Sequence, residues 1–532
     1  TGTLDSTCTI TIAPNTISRV HFIENGTSGS QDIIISQGSG ANVTIPAGQT
    51  KAVYLDGAGS GAAVVDAFAS LNITTSGNIT LNGTNTLNGT IKLDGSYPTG
   101  TQNVALGDTA LDSVQSDGNY NTAIGHAVGT AITTGDNNTA IGHDALKLST
   151  TGSSNVAIGA AALDAQTTVS GTTAVGYGAL SENTSGANNV AVGYTALILN
   201  TTGANNVAVG TYTLDAQTTG DQNTGLGYAA LSANTTANNN TGLGYYALLA
   251  NTTGTQSTAV GSTSLQANTT GNYNTGIGYQ SLAANTTAQY NTGCGAYTLG
   301  ANTTGERNTG LGYAAAVLTT TGVRNTAVGC FTMNQNLTGS YNSTLGEQTL
   351  YNNTASYNTA LGYASMIGNT SGQQNTAVGA QSLSSNTTGQ YNAALGYYAL
   401  QSNTTASYNT AIGYYALQSN TTGYNNTGVG FQAGTNLTTS TQSTAVGTNA
   451  CYTATTGTLT GVGSGALYKV TTGTENVALG YNAGYEMTTG NHNIMLGDHS
   501  GSYSVFLTTG SRNCLIGNYT FTNAAVMITL LL

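Results

Sequence analysis

Charge is nearly absent from this chain. Asp, Glu, Lys and Arg make up 5% of its 532 residues, against about 25% in an ordinary soluble protein. Trp is missing, and proline occurs only at Pro14, Pro46 and Pro98. A run of 434 residues, 99 to 532, therefore contains no proline. Every residue in that run can donate a backbone hydrogen bond, as a continuous sheet requires. The five cysteines, Cys8, Cys294, Cys330, Cys451 and Cys514, are few, odd in number and far apart. They form neither a disulfide framework nor a zinc motif. Cys294 and Cys514 fall on repeat strands and are expected to be buried free thiols.

The net charge is -12. The basic residues after position 100 are Lys147, Arg307, Arg324, Lys469 and Arg512. They are scattered, which excludes the clustered footprint of a nucleic-acid binder. An anionic membrane would repel this surface, and the apolar end, Ala524 to Leu532, is too short to cross a bilayer. The chain opens on Thr1 rather than Met, which suggests residues upstream, and no signal peptide is visible.

What is abundant is a repeat. Asn-Thr-Ala-Val-Gly and its variants close on 25 glycines, from Gly107 to Gly517. From Gly125 to Gly346 every step is 17 residues; two later steps are 16, the first is 18 and the last is 20. A full copy runs from Asn409 to Asn425. Composition alone would allow a disordered Asn/Thr/Gly tract, but a fixed phase of aliphatic residues does not arise in one.

Each copy predicts one winding of a β-solenoid. Seventeen residues cannot enclose a core alone, but stacked windings cap one another. Thr410-Ala411-Ile412 is a short strand with alternating faces. The Ile412 position is aliphatic in every copy except at Cys294, so it is expected to face the core. The Ala411 position is mostly Ala or Gly, which predicts close approach of another layer on the other side. The anchor glycine permits a turn at positive φ. A second segment carries Ala416-Leu417, and Asn420-Thr421-Thr422-Gly423 forms a turn. The opening Asn recurs in 21 of 25 copies, the exceptions being Thr172, Ser257, Ser443 and Leu459. Stacked Asn side chains form hydrogen-bonded ladders, so these Asn are assigned to structure. The Asn-Thr-Thr and Asn-Thr-Ser triplets match the glycosylation acceptor pattern and are assigned to turns instead.

The fold expected is all-β in four parts: an antiparallel β-domain over 1–70, a neck of short β repeats over 71–100, the solenoid over 101–517, and a cap or the start of a tip over 518–532. The neck strands, such as Asn78-Ile79-Thr80-Leu81, are too short to bury themselves, so three chains are expected to intertwine there.

Catalytic groups, cofactor sites and metal sites are all expected to be absent. No Gly-Lys-Ser/Thr phosphate loop occurs, and the acidic residues show no pairing in sequence. The histidines are His21, His126, His143, His492 and His499. His126 and His143 follow anchor glycines in adjacent copies, where Tyr is usual. They are expected to stack as surface variants rather than to hold a metal. His492, Asp498 and His499 share one copy and receive the same assignment.

Two resemblances bear on function. The motif Asn189-Val190-Ala191-Val192-Gly193-Tyr194, over residues 103 to about 517, resembles the head repeats of trimeric autotransporter adhesins, which are trimers of parallel β-rolls. Their usual repeat is shorter than 17 residues. Val20 to Gly29, Val43 to Gln49 and Val53 to Gly57 resemble the proximal part of tail fibre proteins of marine phages, especially cyanophages, over residues 8 to 70. Together they imply a virion tail fibre. Such a fibre would be a parallel homotrimer, joined to tail or baseplate proteins at its N-terminal end and meeting a host surface glycan or protein. The alternatives are a bacterial surface adhesin and, third, an ice-binding solenoid with rows of Thr421-Thr422 equivalents. Neither resemblance carries a mapped receptor residue.

Overall fold

A computed structural model describes residues 3–67, 99–502 and 508–519. The chain is all-β and divides into two compact units, Thr1–Lys92 and Leu93–Leu532. The expected neck lies almost wholly outside the described residues, as does most of the expected C-terminal cap.

Among its described residues the N-terminal unit has six strands: β1 (Cys8–Thr11), β2 (Arg19–Glu24), β3 (Ile33–Ser36), β4 (Val43–Ile45), β5 (Thr50–Leu55) and β6 (Val64–Asp66). They form two sheets, β1-β3-β4 and β2-β5-β6. One cluster takes Ile33, Ile35, Val43, Ile45, Val53, Leu55 and Val64 from both. The expected antiparallel pairing holds except for β1 and β3, which are parallel. The intervening β2 belongs to the other sheet, so the chain crosses over and returns in the same direction. Asn25 is buried, its amide donating to the carbonyls of Gln31 and Ile45.

The second unit is a parallel β-solenoid. Its strands run from β7 (Val104–Leu106) to β31 (Cys514–Ile516), one per coil and most of them three residues long. Each pairs in parallel register with the strand of the next coil, so Ala411 lies opposite Ala394 on one side and Gly428 on the other. Strands stack about 4.8 Å apart, so 24 steps give a rod of about 115 Å.

One coil shows how 17 residues close a turn. Tyr408, Tyr415 and Leu417 have φ of 62, 57 and 48°, and the anchor Gly413 has φ of 135°. Left-handed conformations in non-glycine residues cost energy. Here they turn successive N–H groups toward opposite neighbours. Tyr415 N donates back to Tyr397 O, while Leu417 N donates forward to Ala433 O, each at 3.0 Å. Bonds that would lie inside a helix turn instead link coils, and the backbone is satisfied on a tight curve. The segment opposite the strand is thus a stack of turns rather than a second strand.

The strand faces are the reverse of the expectation. Ala411 is fully buried, whereas Ile412 is 40% exposed. The same holds along the rod, with Leu226, Leu311, Leu345 and Leu395 all exposed before their anchors. Space decides this. Leu417 fills the narrow interior from the opposite side, so the strand can offer only a small residue there. A Cβ built at Gly428 would sit 2.7 Å from Leu417 Cγ. The Ala/Gly face therefore meets the solenoid's own core, here Leu417 of the preceding coil, rather than another layer.

Two ladders of buried Asn complete the interior. In the expected ladder, Asn409 accepts at Oδ1 from Asn426 N and donates from Nδ2 to Gly423 O, both at 2.9 Å. The second ladder lies at the Asn420 position, which the sequence marks only as part of a turn. Asn420 Nδ2 donates to Asn403 Oδ1 of the preceding coil at 3.2 Å and to Gly423 O at 2.9 Å. An amide suits both ladders because it donates and accepts at once. Where the next coil has Leu437 in that place, Asn420 Oδ1 is left without a partner.

Candidate functional site

With the interior filled by Ala, Leu and Asn, chemistry must come from outward side chains. Three surfaces stand out.

The first is the outer face of the strand ladder. Thr410 and Ile412 and their equivalents point away from the core in coil after coil. This makes a stripe of Thr and branched aliphatic residues along the whole rod, rimmed by little charge. Cys294 lies in it, half-buried, and Cys514 at its end is exposed. The expectation that both thiols are buried fails for the same reason as the strand phase: their positions face outward. The buried thiol is Cys451, where burial pushes the pKa up to about 12, so it is an inert group.

The second surface is aromatic. Residues just after the anchors form columns at the coil spacing. Tyr397, Tyr414 and Phe431 stack with ring centroids 5.5 and 5.3 Å apart. Tyr398 and Tyr415 stack beside them at 5.3 Å. A hydrogen bond with Tyr398, more than burial, pushes Tyr397 up to about 12. A further column, Tyr279, Tyr297, Tyr313 and Phe331, packs edge to face. It stops where the next coil has Glu347 and Gln348, beside a cleft of about 350 Å³ lined by Phe331, Gln348, Tyr351, Asn352 and Ile367. Stacked aromatics add roughly 1 kcal/mol per pair, so these columns also tie neighbouring coils together.

The third surface holds the titratable groups. His126 and His143 stack as expected, with centroids 5.1 Å apart and planes 12° apart. His492 Nδ1 lies 2.9 Å from Glu475 of the neighbouring coil, and His499 Nδ1 lies 2.9 Å from Asp498. Burial raises the pKa of Asp215, opposed by the hydroxyl of Ser232 donating at 2.6 Å. Among the described residues, one group of three or more His, Cys, Asp or Glu side chains converges closely: His126, His143 and Asp144. Asp144 was not singled out from sequence. The only signal for it was its place directly after His143.

The Thr rows differ from a free array. The hydroxyl of Thr421 donates to Thr438 O at 3.1 Å, and its equivalents do the same along the rod. Of each Thr-Thr pair, the first hydroxyl is thus engaged by the next coil.

In the N-terminal unit, the outer face of the β2-β5-β6 sheet carries Val20, Phe22, Tyr54 and Val65, all exposed, with Phe22 at 74%. Val20 lies opposite Tyr54, and Tyr54 opposite Val65, so three of these residues form one apolar patch. No helix among the described residues is long and apolar enough to cross a membrane.

The fold and these surfaces define a β-solenoid repeat protein. No protein-family model matches the chain, and no curated protein matches it.

Proposed function

We propose that the chain is the shaft of a bacteriophage tail fibre. It would work as a parallel homotrimer, holding a host-binding end away from the virion without catalysing a reaction. The observation that carries this reading is the aliphatic stripe. Twenty-five coils each present one outward aliphatic or Cys side chain at the same place. A contiguous apolar surface of this length calls for a partner. The stripe amounts to roughly 1,000 Å² per chain, comparable with the ~800 Å² per partner of a stable interface.

A partner that covers it must be equally long and share its pitch. A second copy in parallel register meets both requirements, and cyclic symmetry closes the assembly. The resemblance to trimeric adhesin heads favours three chains over two. The resemblance of residues 8 to 70 to phage fibres favours a virion over a bacterial surface. The apolar patch around Phe22 suits docking of the N-terminal unit onto tail proteins, with the C-terminal end directed to the host.

Gold-labelled antibodies to each end test this on phage particles that carry the gene. The N-terminal label is expected against the tail and the C-terminal label at the distal end. The reverse placement would overturn the polarity, and label found only on bacterial cells would favour an adhesin.

A further inference from the structure

We propose that His126, His143 and Asp144, with Asp108 beside them, form a divalent transition-metal site that ties together the first three coils of the solenoid. Each residue comes from a position just after an anchor: Asp108 after Gly107, His126 after Gly125, and His143 with Asp144 after Gly142. The coil stacking that forms the aromatic columns elsewhere here brings two imidazoles and two carboxylates side by side.

Donor atoms of His126, His143 and Asp144 all lie within 4.8 Å of one another. Asp144 Oδ2 is 3.4 Å from His143 Nδ1, and Asp108 Oδ2 is 3.9 Å from His126 Nε2. These gaps are longer than hydrogen bonds. The 3.4 Å gap matches the separation of about 3.3–3.6 Å kept by two ligands on one tetrahedral ion with bonds of 2.0–2.2 Å, and the 3.9 Å gap at the exposed Asp108 is somewhat wider. His492 and His499 behave differently. Each has a carboxylate in direct contact, 2.9 Å from Nδ1, and neither belongs to a converging group of three such side chains among the described residues.

Charge also favours a dication. Asp108 and Asp144 bring two negative charges, and Lys147 Nζ, 3.2 Å from Asp144 Oδ1, returns one positive charge. The net of -1 attracts a cation, and Asp144 Oδ2 faces His143 rather than the lysine. Imidazole with carboxylate suits zinc, copper and nickel. The imidazoles are largely exposed and can rotate the remaining distance. A bound ion would link β7, the first solenoid strand among the described residues, to the next two coils.

The test uses the full chain, stripped with chelator and titrated calorimetrically with Cu²⁺, Ni²⁺ and Zn²⁺. The expected result is one ion per chain, with Cu²⁺ the tightest. His143→Tyr restores the residue found at Tyr177 and Tyr194, so it keeps the stack while removing a ligand. It is expected to weaken binding by at least about tenfold. The double variant His492→Ala/His499→Ala should bind as the parent does. Metal should also slow backbone hydrogen exchange over residues 104–160 in the parent and not in His143→Tyr. No binding below millimolar metal, or unchanged binding in His143→Tyr, would overturn the proposal.

Discussion

Gly413→Val is expected to break the solenoid at its coil. Gly413 has φ of 135°, a region closed to residues with a Cβ. The added Cβ would also fall 2.7 Å from the carbonyl carbon of Gly430 and press on its oxygen. Backbone of the next coil cannot give way without breaking the ladder on either side. The cost should be several kcal/mol, in the range reserved for strain plus overpacking. In a stacked protein such a loss acts locally, so hydrogen exchange is the measurement. Coils around Gly396, Gly413 and Gly430 should lose protection while distant coils keep theirs. Thr422→Val, at an exposed position of the same coil, should leave exchange unchanged. Equal protection in both variants would contradict the anchor geometry.

A second large effect separates the inner face of the strand from the outer. Ala411→Asp would place a carboxylate in an interior filled by Leu417 and Asn side chains, with no cation to pair it. An unpaired buried charge should cost several kcal/mol. Folding of the coil is unimolecular, so that cost should appear at every chain concentration. Ile412→Asp faces outward. In a dissociated chain the coil should remain folded, with stability changed by about 0.5 kcal/mol or less. Its penalty arises when chains associate, so the shift in melting temperature should depend on concentration. Equal, concentration-independent shifts for the two variants would contradict the outward placement of Ile412.

That pair of residues also marks where the sequence was legible and where it was not. Period, coil count, all-β class, the positive-φ anchor and the opening Asn ladder follow from spacing alone, since each repeats too regularly to have another cause. Strand phase does not follow. A three-residue strand offers two faces, and the rule that aliphatic residues point inward selects Ile412. Volume overrides that rule here: Leu417 and two Asn ladders already fill a 17-residue coil, leaving room in most coils only for Ala or Gly, and the larger Met495 is buried against Gly484, which takes the place of that Leu. The recurrence of Leu at position 417 together with Asn at 420 is the available signal, but Asn-Thr-Thr-Gly also favours turns, which hides the second ladder. The burial assigned to Cys294 and Cys514 failed with the phase. The parallel β1–β3 pair was hidden because strand order between two sheets leaves no local trace. The histidine stack at 126 and 143 was legible from the period, but its carboxylates became apparent only when three coils were laid side by side.

Self-assembly through the aliphatic stripe is tested most directly by solution mass together with oxidative crosslinking of the outward thiols. The chain with Cys8→Ser and Cys330→Ser retains Cys294 and Cys514 on the stripe, and Cys451 in the interior. Light scattering should give three times the 53.3 kDa of one chain. Mild oxidation should join Cys294 to Cys294 and Cys514 to Cys514 of neighbouring chains, since parallel in-register coils bring like positions together within disulfide reach. Cys294 should not join Cys514, about 60 Å along the rod at 4.8 Å per coil. A single-chain mass at every concentration, with neither self-crosslink formed, would contradict the assembly.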